Sequence, residues 1–342
     1  RLKIVELTKN QNIDNCVPFA TYSVETSTPT GDAHYSRNSF NVIKGKHCFL
    51  LLLSDSSNNY NTSAHVDVVE FNQNKVKVQY SEFIMTSTST TVSIDPVNLE
   101  KTFCKFYLGG SVDLLDRMRI SFDYNSESEI VFKVGTSSVH QFVTTYIVES
   151  LLDDFYVSHM KPVNMTGSST TTDTSYLGHD THMELTAYNY SYSSERYYVY
   201  AAFIYKLSSY PISTYYRFNS SYSITNILSE YVVFKNNSVR ATYEIYVRMP
   251  SGVNEINFEL CNVVDIENTI LVNFSQQNLA AVNSTYDGQD NGFVKFMLKD
   301  NKTVNAYRYH SNYEIRTMVY VVEFAPPNKY YMSGTVKEEG TG

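Results

Sequence analysis

Short runs of alternating apolar and polar residues, separated by polar turns, occupy most of this chain. Residues 118–124 are the clearest case, because every second residue is apolar, and another run at 129–134 follows a polar turn. Runs arranged in this way predict antiparallel hairpins. Residues 65–71 and 76–83 predict a further hairpin around the turn at 72–75. The pattern as a whole favours an all-β sandwich or barrel.

The composition agrees with this fold class. The chain contains 30 Tyr, and charged residues make up only 18% of it. Tyrosine and β-branched residues favour the half-buried face of a strand. Residues 144–155 loosen toward helical spacing, and 224–230 look like a helical turn or two. We therefore predict an all-β fold with these two interruptions.

The length of 342 residues fits two domains of ordinary size. A stretch rich in Ser, Thr and Gly at 164–175 is typical of a linker or long loop. We expect two tandem antiparallel β-sandwich domains of jelly-roll-like type, at 1–160 and 161–335, followed by a flexible tail at 336–342. No repeat of fixed period is visible.

The charge balance excludes some partners. A formal net charge of -8 and a pI near 5.5 argue against nucleic acid, whose binding depends on clustered Lys and Arg. The chain begins at Arg1 and has no apolar stretch long enough for a signal sequence or a membrane span. We expect that any targeting segment has been removed and that this part of the protein does not insert into a membrane.

Acceptor triplets for N-linked glycans indicate the compartment. The chain has eight of them, and seven lie after residue 160, so we expect the second domain to be the more heavily glycosylated. They begin at Asn61, Asn164, Asn189, Asn219, Asn236, Asn273, Asn283 and Asn301. This number, together with the low charge content, predicts a secreted, extracellular glycoprotein.

Four cysteines, Cys16, Cys48, Cys104 and Cys261, are compatible with two disulfides. Three pairings are possible. We favour Cys16 with Cys48, because each borders a strand-like run in the same half. Cys104 and Cys261 then either link the two halves or stay as free thiols. The absence of a Cys-x-x-Cys spacing argues against a zinc site.

Catalytic motifs are not evident in the sequence. His179, His182 and Glu184 are weak candidates for metal ligands, since imidazole and carboxylate groups bind divalent ions, but a polar turn entering a strand explains the same residues and is the favoured interpretation. There is no Gly-x-Ser-x-Gly motif and no Gly-rich loop that would hold a phosphate. We predict no catalytic residues, no cofactor and no resident metal, and therefore no enzyme.

Tyrosine clusters at 188–192, 197–200 and 215–216 stand out in the second half. Tyrosine gives apolar contact while its hydroxyl stays hydrogen-bonded, so it is favoured at binding surfaces. The alternative is that Tyr replaces Phe and Trp inside strands, because the chain has no Trp. Both interpretations stay open.

In this combination of predicted β-sandwich halves, sparse cysteines and many glycan acceptors, the chain resembles tandem CUB or CUB-like domains of secreted animal proteins, in particular those of nematodes. The separation of Cys16 and Cys48 is similar to that of the first disulfide of a CUB domain. The single cysteine of the second half departs from that pattern, and the calcium site of many CUB domains has no evident counterpart. The resemblance implies an extracellular protein-binding or structural module without catalytic activity.

The segment that contains Leu2, Ile4, Val5 and Leu7 is strand-like and is followed by a polar stretch, as expected of a strand that could pair with a neighbouring molecule. We therefore predict a structural glycoprotein that self-associates, through this assembly strand, into a head-to-tail polymer or filament. The ordinary alternative is that the segment is the first strand of its own domain. A second function class is the ectodomain of a receptor or adhesion protein, or a lectin-like protein, that binds another extracellular protein or a glycan.

Overall fold

The computed structural model describes residues 2–6, 12–26, 39–46, 48–54, 60–109, 120–134, 141–160, 169–173, 181–190, 204–209, 212–217, 224–235, 238–276, 280–282, 292–325 and 330–337. Within these ranges the chain consists of strands, turns and three 3-10 turns, with no α-helix, which confirms the prediction of an all-β fold. All pairs between the described strands are antiparallel, as predicted, and one isolated bridge, Thr186 with Ser275, is parallel.

The first part of the chain, which we call the first half, contributes twelve strands: β1 (Leu2–Glu6), β2 (Cys16–Thr26), β3 (Ser39–Lys44), β4 (Cys48–Ser54), β5 (Tyr60–Glu70), β6 (Val76–Met85), β7 (Ser89–Ser93), β8 (Thr102–Gly109), β9 (Ile120–Ser126), β10 (Glu129–Val134), β11 (Gln141–Ser150) and β12 (Phe155–Met160). The second half contributes β13 (Ser169–Asp173), β14 (His182–Tyr190), β15 (Ile204–Ser209), β16 (Ile212–Arg217), β17 (Ile224–Phe234), β18 (Val239–Met249), β19 (Glu255–Glu259), β20 (Thr269–Asn273), β21 (Ala281–Val282), β22 (Lys295–Leu298), β23 (Thr303–Tyr307), β24 (Ile315–Phe324) and β25 (Tyr330–Lys337).

The strand orders of the two halves correspond, except that β3 pairs with β8 in the first half whereas no pair between their counterparts is described in the second. The first half forms a six-stranded sheet, β1-β4-β3-β8-β11-β6, and a three-stranded sheet, β7-β10-β9. The second half forms β13-β16-β15, β18-β24-β20 and β19-β23-β22. Strands β1 to β8 correspond in this order to β13 to β20, β9 to β12 correspond to β22 to β25, and β21 pairs with β24 beyond the end of β20. The chain is therefore duplicated in structure, although its sequence shows no repeat of fixed period.

The last strand of each half pairs in the opposite half. Strand β25 of the second half pairs with β5 to complete the sheet β2-β5-β25, and β12 of the first half pairs with β17 to complete β12-β17-β14. Because this exchange is reciprocal, the halves share two sheets. The division into two separate sandwiches at residue 160 stays a prediction. Strand β25 also runs to Lys337, into the range predicted as a tail.

Matching 3-10 turns lead into equivalent strands. Leu99–Lys101 precedes β8 and Ile266–Asn268 precedes β20. The side chains of the residues before them, Asn98 and Asp265, accept a hydrogen bond from the backbone N–H two residues later, each at 3.0 Å. Such side-chain acceptors satisfy N–H groups that have no partner within a helical turn.

A glutamate from a neighbouring strand accepts a hydrogen bond from the residue before each turn. The backbone N–H of Asn98 donates to Glu149 at 2.8 Å, and that of Asp265 donates to Glu323 at 2.9 Å. Glu149 and Glu323 hold equivalent places in β11 and β24. The duplication therefore extends from strand order to individual hydrogen bonds.

The central sheet of the first half is buried on both faces. Along β8, Phe103 and Tyr107 belong to the core cluster that includes β2 and β5, while Cys104, Phe106 and Leu108 belong to a second cluster with β9 and β10. Successive side chains of a strand point to opposite faces, so a strand between two layers needs apolar residues at both. The larger cluster contains residues of both halves, from Ile13 to Phe324, and makes the junction between them part of the core.

Three local predictions differ from the structure. Residues 144–155 and 224–230 are strand rather than helix over most of their length, because β11 and β17 lie inside their sheets and helical spacing there reflects burial on both faces. The hairpin of 65–71 with 76–83 is not formed, since β5 pairs with β2 and β25 whereas β6 pairs with β11. By contrast, the hairpin of β9 and β10 is confirmed, with Phe122 opposite Phe132.

Candidate functional site

Two buried carboxylates connect the halves. Glu230 on β17 accepts the backbone N–H of Cys104 on β8 with both oxygens, at 3.2 and 3.1 Å. Asp67 on β5 accepts the backbone N–H of Leu271 on β20 at 2.9 Å. Cys104 and Leu271 are each the third residue of equivalent strands, so each half reaches into the other at the same place.

Around Glu230 further polar groups come from two more strands, β9 and β12. The hydroxyl of Tyr124 donates to Oε1 at 3.1 Å, and Nδ1 of His159 lies 3.6 Å from the same oxygen. His159 and Glu230 are register partners in β12 and β17, which places the imidazole beside the carboxylate. Nε2 of His159 is 2.8 Å from the carbonyl oxygen of Leu99, so β12 stays tied to its own half through this side chain.

Burial governs the electrostatics of this cluster. Loss of hydration raises the pKa of Glu230 well above its ordinary value, and the hydrogen bonds from Cys104 N–H and the Tyr124 hydroxyl offset only part of that effect. Burial, followed by the nearby Glu230, also raises the pKa of the Cys104 thiol. A nucleophilic cysteine needs the opposite shift. The hydrogen bonds of the cluster therefore join strands of the two halves, and the pKa of Cys104 is shifted in the direction opposite to that of an activated thiol.

Around Asp67 the carboxylate has a closer histidine. Nε2 of His65 lies 2.8 Å from Oδ1 of Asp67, and both side chains are buried. The two residues are two apart in β5, so they share a face of the strand. Nearby, Tyr107 of β8 donates its hydroxyl hydrogen to the carbonyl of Pro18 at 2.7 Å and accepts the N–H of Ala20 at 3.0 Å.

Further polar contacts cross the junction. Thr21 Oγ1 on β2 accepts the backbone N–H of Phe296 on β22 at 2.9 Å, and it lies 3.1 Å from the carbonyl oxygen of the same residue. Lys295 on β22 donates to Ser63 Oγ on β5 at 2.8 Å. Strand β22 thus lies on β2 and β5, and β9, its counterpart, lies on β14 and β17. These contacts repeat the reciprocal arrangement of the exchanged strands.

Lys105 on β8 is a buried basic residue at the same junction. Its ammonium group lies 3.5 Å from the carbonyl oxygen of Gln276 and 4.9 Å from the ring centre of Tyr107. Burial lowers the pKa of Lys105 to about 7. The side chain of Lys105 therefore contacts the second half through Gln276 and is shielded from solvent.

The predicted metal ligands are only partly described by the structure. His179 lies outside the described residues. Glu184 on β14 is fully buried and accepts the Thr186 hydroxyl at 3.0 Å, while the ring of His182 lies near that of Tyr231. Within the described ranges no group of three or more His, Cys, Asp and Glu side chains is positioned to hold a metal ion.

The expected disulfides are not formed, because all four cysteines carry free thiols. Cys16 lies on β2 and Cys48 on β4, in different sheets, and Cys16 Sγ approaches the carbonyl oxygen of Asn12 at 3.4 Å. Burial, with smaller contributions from Glu70 and Asp14, raises the pKa of Cys16 to about 12. The predicted pairing of Cys16 with Cys48 is therefore not supported by this structure.

The predicted glycan acceptors fall into four groups. Asn164, Asn219, Asn236 and Asn283 lie outside the described residues, whereas the backbones of Asn61 and Asn189 are in β5 and β14. Asn301 is exposed in the turn between β22 and β23, as an acceptor needs to be. Asn273 is 4% exposed and accepts the N–H of Ser275 at 3.2 Å, which leaves no space for a glycan there in the folded chain.

The predicted assembly strand forms β1, which pairs with β4 over five residues, from Leu2 opposite Leu52 to Glu6 opposite Cys48. Leu7 lies outside the described residues, as do the tyrosines of 191–200, which follow β14. In the described part of the chain, no helix is both long and apolar enough to cross a membrane.

Comparison with protein-family models and with curated proteins finds no match to this chain. The CUB-like resemblance therefore stays a prediction. What the structure itself defines is an all-β protein with a duplicated strand order and a buried polar junction between its halves.

Proposed function

We propose that this chain is a non-catalytic, secreted structural glycoprotein that self-associates by pairing strands between molecules. One observation carries the proposal: β1 is the outermost strand of a six-stranded sheet and is held there by only five residue pairs with β4. No other described strand pairs with β1. A strand at a sheet edge is a template for pairing with another chain.

The polar groups of the core support a structural role for the rest of the fold. Glu230 and Asp67 both accept backbone N–H groups of the opposite half, so these carboxylates are used in holding strands. Transfer of β1 from its own β4 to the β4 of another copy would give a head-to-tail contact. A contact of this kind need not close into a dimer and can grow into a filament.

A reversible lock on β1 tests the proposal. Ile4 and Leu50 are register partners, and Ile4→Cys with Leu50→Cys allows a disulfide between β1 and β4. We expect oligomers in light scattering and negative-stain microscopy when the disulfide is reduced, and their loss when it is oxidised. The reduced sample of the same protein is the matched control. Oligomers that are equally abundant in both samples would exclude β1 as the donor strand.

A further inference from the structure

Each half of this molecule contains a sheet that is completed by a strand of the other half. Strand β25 pairs with β5 over eight residues, from Tyr330 opposite Glu70 to Lys337 opposite Ser63. Strand β12 pairs with β17 from Phe155 opposite Phe234 to Met160 opposite Ser229. The edges of β5 and β17 are therefore specific acceptors for a strand that another part of the protein donates.

Short links connect the donated strands to the sheets they leave. Residues 151–154 join β11 to β12, and residues 325–329 join β24 to β25. Asp153, in the first link, has a φ of 57°, in the left-handed region that few residues other than Gly adopt. A short link of this kind makes it difficult for a strand to fold back into its own half, so each acceptor edge depends on a strand from another half.

The acceptor side carries side chains that recognise the opposite half. Asp67, in the middle of β5, binds the N–H of Leu271 at 2.9 Å, and Ser63 in the same strand accepts from Lys295 at 2.8 Å. Both contacts are made with residues of the half that donates β25. An incoming second half therefore brings its strand and the groups that Asp67 and Ser63 bind.

We propose that this junction also forms between two copies of the chain, with β25 of one copy on β5 of the next and β12 of the next copy on β17 of the first. Every contact of the junction would be kept, and only the chain that supplies each half would change. Each molecule would then offer its first half to one neighbour and its second half to another, which gives a head-to-tail polymer. Pairing within one chain is favoured at low concentration, so the exchange between chains requires concentrated protein.

This inference builds on the proposed self-association but names a different joint from β1. The test uses two versions of the full chain, and both carry Cys261→Ser to remove the exposed thiol. The first version also carries Val68→Cys. The second carries Met332→Cys and a tag that makes it larger. Val68 and Met332 are register partners in β5 and β25. The two versions are unfolded together, refolded at high concentration, oxidised and separated on a non-reducing gel. The control replaces Met332→Cys by Ser333→Cys, whose register partner is Asp67.

A disulfide-linked product of tagged and untagged chains, lost on reduction and much weaker in the Ser333→Cys control, is the expected result. If the linked product is absent but the oligomers disappear when β1 is locked to β4, the junction between chains is overturned. Self-association through β1 would then remain. Absence of both the linked product and any oligomers would overturn the two proposals together. Circular dichroism of each refolded version shows that a negative result does not come from an unfolded chain.

Discussion

The two carboxylates at the junction have equivalent positions and different surroundings. Asp67 has the imidazole of His65 within 2.8 Å, whereas the closest nitrogen of His159 is 3.6 Å from Glu230. Glu230 instead accepts the hydroxyl of Tyr124 and has a pKa that burial raises well above its ordinary value. Equivalent hydrogen bonds to a backbone N–H of the opposite half are thus made by two different carboxyl groups. Asp67 has a histidine close by, whereas the raised pKa of Glu230 favours its protonated form.

This difference shows how a duplicated junction can diverge without losing its geometry. A buried ionised carboxylate needs a cation or several donors, because transfer from water is costly. The Asp67 carboxyl group has the imidazole of His65 at 2.8 Å, whereas the raised pKa of Glu230 favours its neutral form. The two sides should therefore respond differently to truncation and to pH.

The largest effect is expected from Asp67→Ala, which removes the acceptor of the Leu271 N–H and the partner of His65. Breaking a buried pair in this way costs about 3–5 kcal/mol of the free energy of unfolding. Urea denaturation followed by fluorescence or circular dichroism measures it. Glu230→Ala is the matched variant, and we expect a smaller loss, because a neutral carboxyl leaves no buried countercharge behind. A larger loss for Glu230→Ala would reverse the comparison.

The pH dependence of stability should separate the two sides next. Because the folded pKa of Glu230 is raised above its ordinary value of 4.5, the folded state binds the proton more tightly than the unfolded state. The contribution of Glu230 to the free energy of unfolding is fully present below about pH 4.5 and is lost as the pH rises through the folded pKa. Lys105, with a pKa of about 7, acts in the opposite direction only above that value.

Glu230→Gln should therefore flatten the fall in stability above about pH 4.5, since an amide does not titrate. Measurement from pH 4.5 to about 7 avoids the range in which Lys105 contributes. Denaturation midpoints across that range, compared with those of the parent and of Asp67→Asn, provide the measurement. Parallel curves for the parent and Glu230→Gln would show that Glu230 is ionised throughout the range in the folded chain.

The fold class was predictable from the sequence, but the junction was not. Alternation in 118–124 and 129–134 is local and survives in β9 and β10, whereas the partner of β5 lies far along the chain and leaves no periodic signal. Asp67 does leave a trace, because a charged residue between Val66 and Val68 in an apolar run needs a buried partner. Its partner could not be identified from the sequence alone.

The duplication also leaves a sequence signal that does not recur at a fixed period. The segments at 98–102 and 265–269 each contain a capping residue, an apolar residue, an acidic residue and, at the fifth position, Thr. A third segment, 12–16, follows the same pattern with Cys in place of Thr. Loops of different length between these segments remove the constant spacing, so only the local capping chemistry reports the repeat.

Equivalent capping threonines give a smaller and more symmetric effect. Thr102 Oγ1 donates to the carbonyl of Asn98 at 2.7 Å, and Thr269 Oγ1 donates to that of Asp265 at 2.6 Å. Replacing either threonine with Val keeps its shape and removes one partly buried hydrogen bond, at a cost of about 1 kcal/mol. We expect equal losses in urea denaturation. A clearly larger loss at one site would show that the two turns differ in energy despite their shared geometry.

The smallest expected effect concerns the link that carries β12 out of its half. Asp153 is in the left-handed region with a φ of 57°, and its ion pair with Lys101 is largely exposed, with 70% of the aspartate side chain accessible to solvent. Asp153→Gly removes the backbone strain and an exposed pair of low value, so we expect a gain of about 0.5 kcal/mol in the free energy of unfolding. Lys101→Ala is the control that removes the ion pair alone and should leave stability nearly unchanged. A loss of stability in Asp153→Gly, with none in Lys101→Ala, would mean that the aspartate stabilises the turn itself, and that the link is shaped by its side chain rather than strained by the exchange of β12.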